Sequence, residues 1–355
     1  MTRLLVLGGS DFVGRAVVDD ALARGWDVTV LNRGSTPAPD GVRQLVGDRT
    51  RPDGLDALHA DDVPQTWDVV VDTWSWAPVA VRDAARLLAG RIPGDGRYVY
   101  VSSRSVYPFP PARGADETAA LVAGDPDDTS HDDYARAKRG AEIAAVDALG
   151  DRAVLLRAGL ILGPRENVGR LPWWLRRVAR GGPVLAPGPA DLPLQYVDAR
   201  DLAAFALDLS TSPALAGASG PVDVVSAPGR TTMGELLAAC VEATADDVAA
   251  AGNPPAELVW VAPETVLAAG IEPWSQLPVW LPPGELHDAL HGSDTSRAYA
   301  LGLRPRDVRE TVRDTWAWLR ALDAAGEATP QRADRPAVGL PPDLEAAALA
   351  AAATR

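Results

Sequence analysis

The chain has 355 residues, 47% of them hydrophobic, with a formal net charge of −14 and a pI near 4.7. That length and apolar share give one large domain or two closely joined ones with ample core, while the acidic balance argues against a nucleic-acid partner, which draws on clustered basic charge. No uninterrupted apolar run reaches membrane-spanning length and no basic leader precedes the first strand, so a soluble, cytoplasmic protein without a membrane partner is expected.

Leu4-Leu5-Val6-Leu7 is a short apolar run, followed at once by Gly8-Gly9-Ser10-Asp11-Phe12-Val13-Gly14 and a helical pattern from Arg15 to Arg24. Strand, glycine turn and helix in that order suit a dinucleotide: the glycines permit a tight turn, and free N–H groups at the helix start face a pyrophosphate. A second strand, Asp27 to Leu31, ends in Asn32-Arg33, where dinucleotide folds meet the adenosine ribose. An acid there accepts from both ribose hydroxyls of NAD. An arginine fork instead clamps a 2′-phosphate, so Arg33 favours NADP (NADPH) over NAD. Val42 to Val46 gives a third strand ending Gly47-Asp48, and Trp67 to Val71 a fourth ending Asp72-Thr73-Trp74-Ser75. After a helix from Val79 to Ala89, Arg97 to Val101 is a fifth strand, followed by Ser102-Ser103. Residues 108–130, rich in Pro, Gly and acids, read as a surface loop of the kind that borders a site.

Next comes Asp132-Asp133-Tyr134-Ala135-Arg136-Ala137-Lys138, which holds the only lysine of the chain. Arginine supplies positive charge everywhere else. A compact ammonium able to sit close to a phenol is a lysine property that a planar guanidinium does not reproduce. Apolar residues continue at helical spacing to Leu149, so Tyr134 and Lys138, four apart, project from one helix face. A phenol of pKa about 10 needs a shift of roughly three units to trade protons near neutrality, and an adjacent ammonium supplies that sign of shift.

A sixth strand, Arg152 to Arg157, completes an alternation that predicts an α/β fold, a Rossmann-type doubly wound parallel sheet. Beyond residue 165 the pattern breaks into a helix over 171–180, strands over 183–186 and 194–197, and a helix to Leu209 with Asp198 as N-cap. A strand over 222–225 and helices over 231–244, 263–269, 293–301 and 306–323 follow, and Leu344 to Ala352 is either a docked helix or a frayed one. The expected division is a Rossmann domain over 1–165 with 190–226, a smaller substrate-binding region over 166–189 with 227–323, and a tail over 324–355. The lone Cys240 lies in an apolar helical run and reads as core. No metal is expected, since the four histidines are scattered and His287 and His291 lack the HExxH pattern.

In this order the motifs resemble those of the extended short-chain dehydrogenase/reductases, the group that also contains NAD-dependent epimerases and dehydratases, over roughly residues 3–320. Gly8 to Gly14 is similar to the GxxGxxG turn, with Asp11 in place of the middle glycine; an acid there repels a pyrophosphate unless it points outward. Asp48 resembles the acid that contacts adenine, and Thr73 to Ser75 stands where a small-residue motif follows the fourth strand, with Trp74 expected to narrow the nicotinamide entrance. Ser102 to Tyr107 is similar to SSxxVY, which makes Ser103 the match to the catalytic serine, and Tyr134 and Lys138 match YxxxK. Arg157 to Pro164 resembles LRPxxxxGP with Ala158 in place of the proline, and Gln195 to Asp201 resembles a strand followed by VDxxD.

The resemblance implies that Tyr134 is the general acid or base, that Ser103 positions the substrate oxygen, and that Lys138 bonds the nicotinamide ribose and lowers the tyrosine's pKa. It assigns Gly8, Ser10, Asp11, Phe12, Val13, Gly14, Asn32, Arg33, Asp48, Thr73, Trp74 and Lys138 to the cofactor. It also implies a small-molecule substrate and allows a homodimer formed through paired helices. Three functions are consistent with this reading: an NADP-dependent reductase of a carbonyl, a nucleotide-sugar epimerase or dehydratase, and a non-catalytic NADP-binding regulator or RNA-binding relative. Trp173, Trp174, Trp260, Trp274 and Trp280, with Trp74 and Trp76, suit an apolar or aromatic substrate if two or three of them line the pocket, although core area is the ordinary use of each.

Overall fold

The computed structural model describes residues 1–212 and 218–353. Seven parallel strands form one sheet: β1 Arg3–Leu7, β2 Asp27–Asn32, β3 Val42–Val46, β4 Val69–Asp72, β5 Arg97–Ser103, β6 Ala153–Ala158 and β7 Gly220–Val224. Their spatial order is β7-β6-β5-β4-β1-β2-β3. Leu4 to Leu7 of β1 are flanked by Val28 to Leu31 on one side and Val69 to Asp72 on the other. The winding direction therefore reverses between β1 and β4, which opens a crevice at the carboxyl ends of those strands.

Side-chain alternation explains how a continuous apolar run such as Leu4-Leu5-Val6-Leu7 serves both faces. Leu4 and Val6 join α1 (Phe12–Ala23) and a later helix, Ala199–Thr211, in one buried cluster; Leu5 and Leu7 join α2 (Val79–Leu88) and α3 (Tyr134–Leu149) in another. A third cluster, away from the sheet, gathers Trp174 and Leu175 of α4 (Arg170–Val178) with Leu236, Leu237 and Cys240 of the helix Met233–Ala250. Val312, Trp316 and Leu319 of the helix Val308–Ala325 close it.

Several sequence boundaries shift for identifiable reasons. The first helix starts at Phe12 instead of Arg15, because the Asp11 carboxylate caps it by accepting from the Phe12 N–H at 2.9 Å. The strand expected over 194–197 is two separate pairs, Pro193–Leu194 and Val197–Asp198, because the Gln195 side chain turns inward to donate to the carbonyls of Ser226 and Ser293. The helix expected over 293–301 shortens to Ser296–Ala300, preceded by Glu285–His291. Residues 342–353 are a docked helix: Glu345 is 5% exposed and pairs with Arg177 at 2.6 Å. No helix among the described residues is long and apolar enough to cross a membrane.

Candidate active site

The crevice at the β1, β4, β5 and β6 strand ends is a cleft of about 1170 Å³. Its floor begins with the glycine turn. Gly8 has φ +124, and a Cβ there would lie 2.3 Å from Thr73 Oγ1; a Cβ on Gly14 would lie 2.6 Å from the Gly9 nitrogen. Only glycine fits both positions, and the resulting compact turn brings Asp11, Phe12, Val13 and Gly14 at the start of α1 to the cleft wall, beside Thr73. Gly8 and Ser10 complete the turn without lining the cleft. The Asp11 carboxylate does not project at the helix start as a bare charge: one oxygen caps Phe12 and the other accepts from Asn167 Nδ2.

Ser103 ends β5 and caps the turn Arg104–Val106, its Oγ accepting from the Ser105 N–H at 3.1 Å. Tyr134 is the first residue of α3, and Asp133 caps that helix by accepting from the Arg136 N–H at 3.1 Å. One turn further on, Lys138 is 3% exposed. Its Nζ donates to the carbonyls of Trp74 at 2.6 Å and Val101 at 2.7 Å and lies 4.7 Å from the Tyr100 ring centroid. Ser103, Tyr134 and Lys138 all line the cleft that α1 opens into.

Burial governs the ionisation of both groups. It pushes the Tyr134 phenol up, opposed first by the Ser103 side chain and then by the guanidinium groups of Arg335, Arg332 and Arg170. It pulls Lys138 down to about 7, opposed by the carboxylates of Asp72 and Glu142. Lys138 gives two donors to the carbonyls of Trp74 and Val101, and the cations that chiefly favour the phenolate are arginines, two of them from the C-terminal segment.

The residues expected at the adenosine end lie outside the cleft wall. Asn32 Oδ1 accepts from the Gly34 N–H and from Gln44 Nε2, both at 2.9 Å. Asp48 accepts from the Thr50 N–H at 3.0 Å and hydroxyl at 2.8 Å, contacts that hold its carboxyl below the usual range. Arg33 is exposed, near Asp48. Trp74 also departs from expectation. Its indole N–H donates to the Ala77 carbonyl at 2.8 Å and its ring lies under Arg49, so it is the Trp74 carbonyl, not the ring, that serves the site, while Ser75 lines the cleft.

Of the tryptophans considered for substrate contact, Trp274 alone lines the cleft. Trp174 and Trp280 are fully buried, donating to the carbonyls of Pro278 and Gly188; Trp173 packs edge-on against Trp174, and Trp76 stacks on His131. Trp260 is 39% exposed at the surface. Among the described residues no group of three metal-ligating side chains gathers anywhere.

Sequence reading missed the support beneath the site and the roof above it. Beneath, the fully buried Asp72 holds Arg49 through two bonds of 2.8 Å, accepts from the Tyr98 hydroxyl at 2.6 Å and fixes the Trp74 N–H at 2.9 Å. Ser102, next to Ser103, donates to Glu142, which in turn holds Arg157 at 2.9 and 3.0 Å. Above, residues 327–341 form a strap: the Arg332 N–H donates to the Asn167 carbonyl, the Gly339 N–H to that of Ser275, and Arg335 lies 5.2 Å over the Tyr134 ring. The one signal for the strap was the basic run Gln331-Arg332-Ala333-Asp334-Arg335 in an otherwise acidic chain.

A reversed parallel sheet with a glycine turn, and a serine, tyrosine and lysine at its crevice, define an NAD(P)-dependent enzyme of the extended short-chain dehydrogenase/reductase kind. The model of the NAD dependent epimerase/dehydratase family matches residues 4–222, and the chain belongs to that family. No curated protein matches it. Among solved structures, WbmH of Bordetella bronchiseptica in complex with NAD+ is similar at a TM-score of 0.63 and 19% identity, covering 90% of this chain and 99% of that one. WbmG of the same organism, in complex with NAD and UDP, has a TM-score of 0.58 and 18% identity over 94% and 99% of the two chains. The UDP-glucose 4-epimerase of Thermus thermophilus, in complex with NAD, has a TM-score of 0.56 and 22% identity over 90% and 99%. At these identities the likeness is one of fold.

Proposed function

We propose that this protein is an NADP-dependent oxidoreductase acting at a carbonyl or hydroxyl carbon of a small-molecule substrate. The observation that carries this reading is the meeting of Ser103, Tyr134 and Lys138 in the cleft that receives the start of α1. The residues present fit a dinucleotide: the turn is too compact for any side chain at Gly8 or Gly14, and the acid at position 11 is already engaged by its own helix and by Asn167. A nicotinamide bound there supplies the hydride donor or acceptor.

The chain's own groups handle the proton. Tyr134 gives the proton to the substrate oxygen as the phenol or takes it as the phenolate, and the Ser103 side chain and nearby arginines stabilise the phenolate form. Ser103 orients that oxygen. Lys138, anchored on the Trp74 and Val101 carbonyls, fixes the floor on which the ribose would rest. Tyr134→Phe is expected to lower kcat by at least about 100-fold with dinucleotide affinity unchanged; retained turnover would refute the role.

The preference for NADP rests on Arg33, exposed beyond the tip of β2 with its fork in no ion pair among the described residues. Arg33→Ala is expected to weaken NADP(H) binding and leave NAD(H) binding as it was. Equal affinities in the unaltered protein would overturn this preference. NAD and UDP in the WbmG complex support a second reading, a nucleotide-sugar epimerase or dehydratase that restores its cofactor within each turnover. Steady consumption of added NADPH belongs to the first reading; conversion of a UDP-sugar without net consumption belongs to the second.

A further inference from the structure

In a chain of net charge −14, arginines converge on Tyr134 from two directions. Arg170 comes from the first turn of α4 and Arg335 from the strap, and both line the cleft. Neither side chain makes an ion pair or hydrogen bond among the described residues. The carboxylate nearest Arg170 in sequence, Glu166, is taken up by the N–H groups of Arg170 at 2.8 Å and Leu171 at 3.0 Å. The acids on the cleft wall do not serve either: Asp11 bonds Phe12 and Asn167, Asp133 caps α3, and Asp132 pairs with neither arginine. Arg332, by contrast, is held by both oxygens of Asp334, at 2.9 and 2.7 Å.

Arg170 is half-buried, and a partly buried guanidinium left without an acceptor carries a cost that a bound anion removes. Arg170 is also held in orientation. Its Cζ lies 5.5 Å from the Trp274 ring, and Trp274 occupies a left-handed backbone conformation, φ 66, which a tryptophan adopts only under constraint from its surroundings. A stacked guanidinium presents its edge, the fork that matches a carboxylate or phosphate.

We propose that Arg170 and Arg335 are substrate-specificity residues that form an oxyanion-binding site above Tyr134, so that the substrate carries a carboxylate or phosphate group and the C-terminal strap takes part in recognising it. The inference rests on the cleft being the substrate site of the proposed oxidoreductase, and it holds for either reading of the reaction. Leu281, Leu286 and Leu290 also line the cleft and offer the rest of the substrate an apolar surface.

The test is a binding titration on the full chain with malonate, pyrophosphate and UDP, read by calorimetry, for the unaltered protein, Arg170→Gln and Arg335→Gln. At least one of these anions is expected to bind, and each substitution to weaken it by about tenfold or more while NADP+ affinity stays within about twofold. Malonate alone binding identifies a carboxylate, and pyrophosphate or UDP binding identifies a phosphate. Arg335 is exposed, so its variant reads the site even if Arg170→Gln fails to fold. No binding by any of the three anions, equal binding in all three proteins, or loss of NADP+ affinity in place of anion affinity would each overturn the inference. Because binding is measured without turnover, its outcome is independent of whether Tyr134→Phe abolishes catalysis.

Discussion

Lys138 shows how burial decides what a single side chain does. Its ordinary pKa of 10.5 falls to about 7 in the folded protein, burial being the largest cause. Between those values the unfolded chain holds a proton that the folded chain has released. Stability from this group is therefore present above the unfolded value and is lost as pH falls through the folded one. Relative to Lys138→Met, the unaltered protein is expected to gain in denaturant midpoint as pH rises from about 7 to about 10, which paired urea melts would read; a constant offset would contradict the shift. The tyrosine and lysine themselves were legible in the sequence because four-residue spacing on a helix is a local property. What surrounds them was not: the acceptors of Lys138 are backbone carbonyls 64 and 37 residues away. The stacking of Arg335 on Tyr134 spans a still longer stretch of chain.

Strands and helices of the sheet were legible because apolar runs and glycine turns report on immediate neighbours. Their ends were less so, since caps and inward turns such as those at Asp11 and Gln195 depend on tertiary partners. The tip of β4 illustrates the consequence. Asp72 lies at 0% exposure and holds Arg49, Tyr98 and the Trp74 N–H, so it fixes the loop whose carbonyl receives Lys138. Asp72→Ala leaves the Arg49 guanidinium buried without its partner and is expected to cost about 3–5 kcal/mol, measured by chemical denaturation. A variant within experimental error of the parent protein would mean that the pair contributes nothing to the β4 tip. Nothing in the sequence set Arg49 apart from the other arginines, because its partner lies 23 positions on.

Taken as a whole, the molecule builds its cleft from segments at both ends of the chain, the glycine turn at residues 8–14 and the strap at 327–341. The docked terminal helix anchors the strap, through Glu345 to Arg177 and to the Leu185 N–H. Glu345→Ala is expected to destabilise the protein by about 3 kcal/mol and to raise protease sensitivity within 327–353 first; unchanged digestion there would show the strap to be held by other contacts. The family match ends at residue 222, so the strap belongs to the part of this chain that a general motif does not describe. The one lysine of the chain is sealed at 3% exposure, while arginines supply the exposed charged cations of the described residues. Acylating reagents therefore meet no open lysine side chain on the folded protein, and modification of Lys138 reports its unfolding.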